Sequence, residues 1–349
     1  MKAQELLLIC SEPGFWGQER KPWVSIDLRL FLAELQKQGL NPKLTDIQSV
    51  ALEAAQIRDR CIFYAFSQRA HLRRYIKDVL TFLARHNTLI PSLELLLSHE
   101  NKGYAQLYAQ RLGLSKPQGW YLTDIEQLKQ LKLSYPIVLK SISGTNAKAV
   151  WLCNSEAEIR SRLKHLAKGP GSLAKLDYLR RKHLRGGRTY PGYPRFEPRQ
   201  DAQDWLTYMT PGANFLLQEY IPHLDCDYRV IAAGKRFYLM QRLVNKGDFR
   251  ASGTKKFVFD ITPPEGLLDF ALDVYRRFDA PYLSMDIGHR EGQNYLFEFQ
   301  ALHFGTAAIV RSQGYWVHEG GAWQFHREDS VLEPVLALGL AEYLEGKQW

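Results

Sequence analysis

The polarity pattern divides the first third of the chain into short apolar runs alternating with longer amphipathic stretches. Leu6–Cys10 is a continuous apolar run closed by Ser11-Glu12-Pro13-Gly14, which predicts a strand buried on both faces and ending in a loop. Val24, Leu28, Phe31, Leu32 and Leu35 recur at the spacing of one helical face, and Gly39 supplies a stop. Residues 61–66 repeat the strand pattern and 72–83 the helical one. The alternation predicts a small α/β unit up to about residue 95.

Residues 91–121 read as helical segments around His99-Glu100-Asn101-Lys102-Gly103-Tyr104. Next come two apolar runs, 136–140 and 149–153, joined by the small-residue loop 141–148, the pattern of an antiparallel pair. Residues 168–211 hold Gly169-Pro170-Gly171, Gly186-Gly187 and Tyr190-Pro191-Gly192-Tyr193-Pro194 between basic residues, and predict a partly helical, partly irregular insertion. Strand patterns return at 215–220, 228–233, 237–244, 282–287 and 295–301, with a helix over 267–278.

Charge changes the picture locally. The 349 residues carry a net charge of +9, but residues 160–200 hold twelve Lys/Arg against Asp177 and Glu197, so the remainder carries −1. That segment suits an acidic substrate or peptide, or a solvated insertion. No nucleic-acid module is recognisable, although Tyr190, Tyr193 and Phe196 lie among its arginines. Cys10, Cys61, Cys153 and Cys226 show no metal-ligand spacing and read as reduced thiols, which points to the cytoplasm. Nothing approaches 18 consecutive apolar residues, so no membrane span is expected, and a homo-oligomer is compatible with the sequence.

Three constellations carry candidate chemistry. Asp286 and Glu298 stand on two neighbouring strands, and a period of two puts Glu298 and Gln300 on one face with Phe297 and Phe299 on the other. If the strands pair through a seven-residue connection, 288–294, Asp286 faces that polar side. Paired carboxylates among apolar neighbours make sense around Mg²⁺ or Mn²⁺, while the plainer alternative pairs each acid with an arginine. Lys140 ends a strand before Ser141-Ile142-Ser143-Gly144-Thr145-Asn146, a loop able to cradle phosphate, though a lysine there is also at home in solvent. Asp227 and Arg229 share a strand face near Arg242, suited to ribose and phosphoryl contacts or to a cross-strand ion pair.

The succession of these pieces, from about Leu6 to Ala308, resembles the ATP-grasp superfamily and, within it, the RimK-like carboxylate–amine ligases. His99-Glu100-Asn101-Lys102 and Gly113-Leu114-Ser115-Lys116-Pro117 are similar to the family's first ATP lysine and following Gly-Leu-x-x-Pro. Residues 136–140 are similar to the strand bearing the second ATP lysine, and 141–150 to the phosphate-covering loop. Gln218-Glu219-Tyr220-Ile221 resembles the adenine hinge, Asp227-Tyr228-Arg229-Val230 the family's Asp-x-Arg-Val, and Arg242 and Gly247-Asp248-Phe249-Arg250 its phosphate-facing arginines. Two departures stand out. Glu298-Phe299-Gln300 replaces Glu-x-Asn, and Ala147 and Ala149 stand where relatives often have glycine.

The resemblance implies an α/β (α+β) fold: a parallel pre-ATP-grasp domain (1–95), a linking segment (96–135), a small lobe (136–220) with the basic insertion 168–211, and a C-terminal lobe (221–349). It implies ATP bound by Lys102, Lys140, Ser143, Gly144, Thr145, Gln218, Glu219, Tyr220, Ile221 and Asp227. It further implies Mg²⁺ or Mn²⁺ on Asp286, Glu298 and Gln300, with catalytic roles for Arg229, Arg242 and Arg250. The implied reaction activates a carboxylate as an acyl phosphate, which an amine then displaces. A kinase acting on a hydroxyl, or a degenerate ATP-binding protein, are the alternatives; the basic insertion is expected to help receive an acidic or extended substrate.

Overall fold

The computed structural model describes residues 6–17, 23–114, 116–143, 149–167, 171–183, 198–210, 212–245, 247–251 and 253–347. The N-terminal alternation is present as β1 (Leu6–Cys10), α1 (Leu28–Lys37), β2 (Pro42–Asp46), α2 (Ile47–Leu52), β3 (Cys61–Tyr64), α3 (Ala70–Leu83) and β4 (Thr88–Ile90). The strands form a parallel sheet in the order β2-β1-β3-β4. Period two explains the continuous apolar run of β1: Leu6, Leu8 and Cys10 join one core while Ile9 joins the core on the other face, with Ile76 and Leu80 of α3. Val24 lies before α1 and is exposed, because Asp27 starts the helix by accepting from the N–H groups of Arg29 and Leu30. Such a cap is worth about 1 kcal/mol.

Two helices, α4 (Leu93–Ser98) and α5 (Lys102–Arg111), lead into β5 (Gly119–Leu122), a strand the helical reading of 91–121 did not contain. Its four residues are too few to show a period, and its place comes from pairing with β8. Then follow β6 (Ile137–Ser141), β7 (Val150–Cys153), α6 (Glu156–Leu166), α7 (Ser172–His183), α8 (Pro198–Tyr208) and β8 (Phe215–Glu219). Strands β5-β8-β6-β7 make an antiparallel sheet whose apolar face, including Ile137, Leu139 and Leu217, packs with Ile159 of α6. The insertion thus contains two helices; residues 184–197, with Tyr190, Tyr193 and Phe196, lie outside the described residues.

The remaining elements are β9 (Cys226–Ala233), β10 (Arg236–Leu243), β11 (Phe257–Phe259), α9 (Leu267–Arg277), β12 (Tyr282–Arg290), β13 (Gln293–Gln300), α10 (Ala307–Arg311), β14 (Gly314–Glu319), β15 (Ala322–Arg327) and α11 (Leu332–Glu345). They build a seven-stranded antiparallel sheet, β13-β12-β9-β10-β14-β15, with β11 also on β10. Alternation again divides its faces. Val230, Ala232, Leu283 and Met285 pack with α9, whereas Ile231, Ala233, Tyr238, Met240 and Tyr282 share a core with α11 and the first sheet. The ring of Tyr282 meets Phe63 of β3 edge-on, with centroids 6.1 Å apart. None of the described helices is long and apolar enough to cross a membrane.

Two features correct the expected β12–β13 geometry. The connection is the two-residue turn Glu291-Gly292, both with positive φ (50° and 73°), since the strands continue to Arg290 and resume at Gln293. Positive φ at both positions gives the tight hairpin whose twist matches its strands. A bulge also interrupts the period: Asp286 pairs with Glu298 but Ile287 with Leu296, leaving Phe297 as the extra residue.

Candidate active site

A cavity of about 890 Å³ lies where the small antiparallel sheet, the large sheet and the loops of the first sheet meet. Its size falls in the range of small-molecule sites. The apolar face of β9, β10 and β12 becomes ionic as it enters the cavity: Ile231 and Ala233 are followed down β9 by Arg229 and Asp227, Tyr238 and Met240 along β10 by Arg242, and Tyr282 along β12 by Asp286. Register makes these charges neighbours, with Arg242 opposite Asp227 and Arg229 opposite Asp286.

The result is a chain of four alternating charges. Arg242 donates through Nε and Nη2 to the two carboxylate oxygens of Asp227, both at 2.6 Å, and its Nη2 also lies 2.8 Å from Asp286 Oδ2. Arg229 donates to Asp286 Oδ1 at 2.8 Å and to Oδ2 at 3.0 Å. Burial pushes the Asp286 carboxyl up, but Arg229 and Arg242 outweigh it and hold the group at about 2. For Arg242, burial disfavours the charge, yet the two aspartates raise its pKa above the ordinary arginine value. The ion-pair alternative is therefore the one present: Asp227 grips Arg242 instead of standing free for a ribose hydroxyl.

Across the cavity, Lys140 near the end of β6 donates from Nζ to Gln218 Oε1 of β8 at 2.6 Å. Burial lowers its pKa to about 8, with Lys102 adding to the effect and Glu298 and Asp286 opposing it. Lys102 opens α5, and the helix sits close against β5 because Gly103 has no Cβ, which would fall 2.5 Å from the Tyr121 ring. The Lys102 N–H donates to Ile142 O at 3.0 Å, tying the helix to the start of the loop after β6.

Residues 218–221 carry the chain from β8 toward the large sheet, and all four line the cavity. Among the described residues, the N–H groups of Tyr220 and Ile221 have no protein acceptor. Arg250 is chelated by Asp248, with Nε–Oδ1 and Nη2–Oδ2 both 2.9 Å, and its Nη1 reaches Val150 O of β7 at 3.4 Å, spanning the cavity mouth.

Nearly all of the expected site residues that are described converge here: Lys102, Lys140, Gln218, Glu219, Tyr220, Ile221, Asp227, Arg229, Arg242, Arg250, Asp286, Glu298 and Gln300 line one cavity. Ser143 does not; it is exposed, and its carbonyl accepts from Ser141 Oγ at 2.7 Å, while Ser141 itself lines the wall. Gly144 and Thr145 lie outside the described residues. Phe297 and Phe299, expected on the face opposite Glu298, both line the cavity with it, Phe297 at the bulge. Sequence reasoning missed Gln68, Phe297 and His303; the bulge leaves no mark in the polarity pattern, and the other two sit in loops outside any period. No described residue of α7 or α8 lines the cavity.

The complete architecture is shared with solved structures. D-cycloserine synthetase DcsG matches over 97% of this chain and 99% of its own, with a TM-score of 0.52 and 12% identity. A RimK domain ATP-grasp protein from Sphaerobacter thermophilus DSM 20745 matches over 97% and 98%, at 0.51 and 13%. The chain has the ATP-grasp fold. The ADP complex of purK, an N5-carboxyaminoimidazole ribonucleotide synthetase, covers 89% of this chain and 74% of that one, at 0.50 and 14% identity. No protein-family model matches the sequence, and no curated protein matches it.

The wall formed by β12 and β13 carries the oxygen-bearing side chains a hard divalent cation takes, although among the described residues no group of three His, Cys, Asp or Glu side chains is placed to hold a metal ion. Glu298 lies opposite Asp286 in register and Gln300 opposite Ser284, so two carboxylates and a carboxamide stand on adjacent strands. Asp286 Oδ2 receives both arginines but Oδ1 only Arg229, which leaves Oδ1 one acceptor position. Gln300 Nε2 lies 3.3 Å from Glu298 Oε1; a 180° turn of the amide puts its oxygen on that side instead.

Proposed function

We propose that the protein is an ATP-dependent carboxylate–amine ligase working through an acyl phosphate. The observation that carries this reading is the facing of two walls across one cavity. Lys102 and Lys140 stand on the small-sheet side, and Arg229, Arg242, Asp286, Glu298 and Gln300 on the large-sheet side. A triphosphate needs cations and a metal-binding wall together, and a ligase needs further cations beyond the γ-phosphate for the acceptor carboxylate.

In this reading the backbone groups of residues 219–221 meet the base, Phe297 and Val138 enclose it, and Lys102 and Lys140 meet the phosphates. Asp286, Glu298 and Gln300 would hold Mg²⁺, which would supply neutralising charge for the triphosphate. A carboxylate oxygen attacks the γ-phosphorus, the bond to the β-phosphate oxygen breaks, and ADP departs. Arg229 and Arg242, fixed by Asp286 and Asp227, meet the acyl phosphate without reorganising, since their partners have already set their directions. Arg250, with Asp248, closes the mouth toward β7 and helps keep water from the activated carboxyl.

The test is ADP release from Mg-ATP in the presence of mixed carboxylates and amines. Release that requires both pools, and that Lys140→Ala and Glu298→Ala each reduce at least about 100-fold, supports the reading. Near-normal release in both variants places the chemistry elsewhere.

A further inference from the structure

Beyond the phosphate-facing groups the cavity continues toward the first sheet, where Gln68, Ser98, His99, His303 and Gly305 line it. The two imidazoles are not equivalent. His99 packs edge-on against the Phe66 ring, centroids 4.6 Å apart, and its Nε2 is buried without a partner. Its carbonyl oxygen accepts from Lys77 Nζ at 2.7 Å, so it is an enclosed part of the wall.

His303 lies in the loop between β13 and α10, three residues beyond Gln300, and among the described residues its ring hydrogen-bonds to nothing. The same loop runs beside the reaction centre: a Cβ added at Gly305 would lie 3.1 Å from Nη1 of Arg229, the arginine bound to Asp286. Glu298, which accepts from Gln300 Nε2, and Glu219, which accepts from the Gln118 N–H, line the same cavity; in the ligase reading Glu298 is taken by the metal and Glu219 stands at the base, and the remaining acids and bases around His303 are engaged or cationic. Asp227 and Asp286 hold arginines, Glu100 is paired with Arg73 at 3.2 Å, and Lys102, Arg229, Arg250 and Lys255 are positive. Lys77 and Arg73 lie near His99, whose pKa burial lowers most, with His303 and their positive charges adding to it.

We infer that His303 takes up the proton released when the amine attacks the acyl phosphate, a role that rests on the ligase reading above. A neutral amine forms the N–C bond, the C–O bond to phosphate breaks, and phosphate leaves with that electron pair. The proton on nitrogen passes to the imidazole and from there to the departing phosphate, which is released as the hydrogen phosphate dianion. Burial lowers the His303 pKa to about 4, so the ring is uncharged with a free lone pair at neutral pH. The negative charge that develops on the departing phosphate favours the imidazolium at the moment it is needed.

The test compares the wild-type chain with His303→Gln and His303→Ala, using Mg-ATP, the twenty amino acids as carboxylates, and two nucleophiles: hydroxylamine, and the amino acids' own amines. Hydroxylamine is largely neutral at pH 7 and traps acyl phosphates directly. His303→Gln is expected to keep hydroxamate formation within about twofold while lowering amide product, read by mass spectrometry, at least about 100-fold, the usual scale of general-base catalysis. Added imidazole is expected to restore amide formation in His303→Ala. Equal loss of both products, or loss of neither, overturns the role of His303. Absence of hydroxamate from the wild-type protein overturns the ligase reading for amino-acid carboxylates.

Discussion

Asp227→Asn isolates the charge chain beneath the cavity, because it keeps the shape of the side chain and removes its charge. Both Asp227 oxygens bind Arg242 at 2.6 Å, and the Arg242 side chain is only 5% exposed. Removing one partner of a buried pair costs about 3–5 kcal/mol. Arg242 keeps its 2.8 Å contact with Asp286, which places the expected loss near the lower limit, about 3 kcal/mol. With an unfolding entropy of about 2.1 cal/mol/K per residue, that loss lowers the melting temperature by about 4 °C. Thermal unfolding followed by circular dichroism at pH 7 measures it. Asp227→Leu combined with Arg242→Met removes the pair without leaving a lone charge, and is expected to recover at least half of the loss while remaining inactive. Melting of Asp227→Asn within about 1 °C of wild type would refute the claim that Asp227 anchors Arg242.

Three further outcomes are expected. Lys140 loses its charge as pH rises through about 8, so Mg-ATP affinity measured by titration calorimetry should weaken above that pH, whereas Lys140→Arg should stay flat. Asp286 has a lowered folded pKa of about 2, below the ordinary carboxylate value; its contribution to stability should be full above about pH 4 and disappear as pH falls toward 2, a loss that Asp286→Asn no longer shows in acid denaturation. Gly288→Ala puts a Cβ 2.4 Å from the Phe297 ring and 3.3 Å from Leu224, so urea unfolding should show a loss of about 1–3 kcal/mol and nucleotide affinity should fall as Phe297 is displaced.

What the sequence disclosed follows from which signals are periodic. Leu6–Cys10, residues 61–66 and the strands around Ile231 and Met285 are buried on both sides, and their apolar runs locate them to within a few residues. The convergence of Lys140, Arg242 and Glu298 was legible only through the order of the segments, since no short spacing brings together residues so far apart in the chain. The strand β5 depends on pairing with the distant β8, and the bulge at Phe297 and the Glu291-Gly292 turn depend on the register between the neighbouring strands β12 and β13, which apolar alternation does not encode. Asp227 shows the same division: alternation placed it on a face with Arg229, but only register with Arg242 decided which partner its carboxylate has.

The central claim is that a carboxylate oxygen attacks the γ-phosphorus, and transfer of a labelled oxygen tests it most directly. The protein is incubated with Mg-ATP, an amine pool and carboxylates labelled with ¹⁸O, and inorganic phosphate is examined by ³¹P NMR. Phosphate carrying one ¹⁸O from the carboxylate, shifted upfield, is expected from the wild-type protein and none of it from Glu298→Ala. Unlabelled phosphate formed alongside amide product, or a new phosphoester resonance in place of free phosphate, would contradict it.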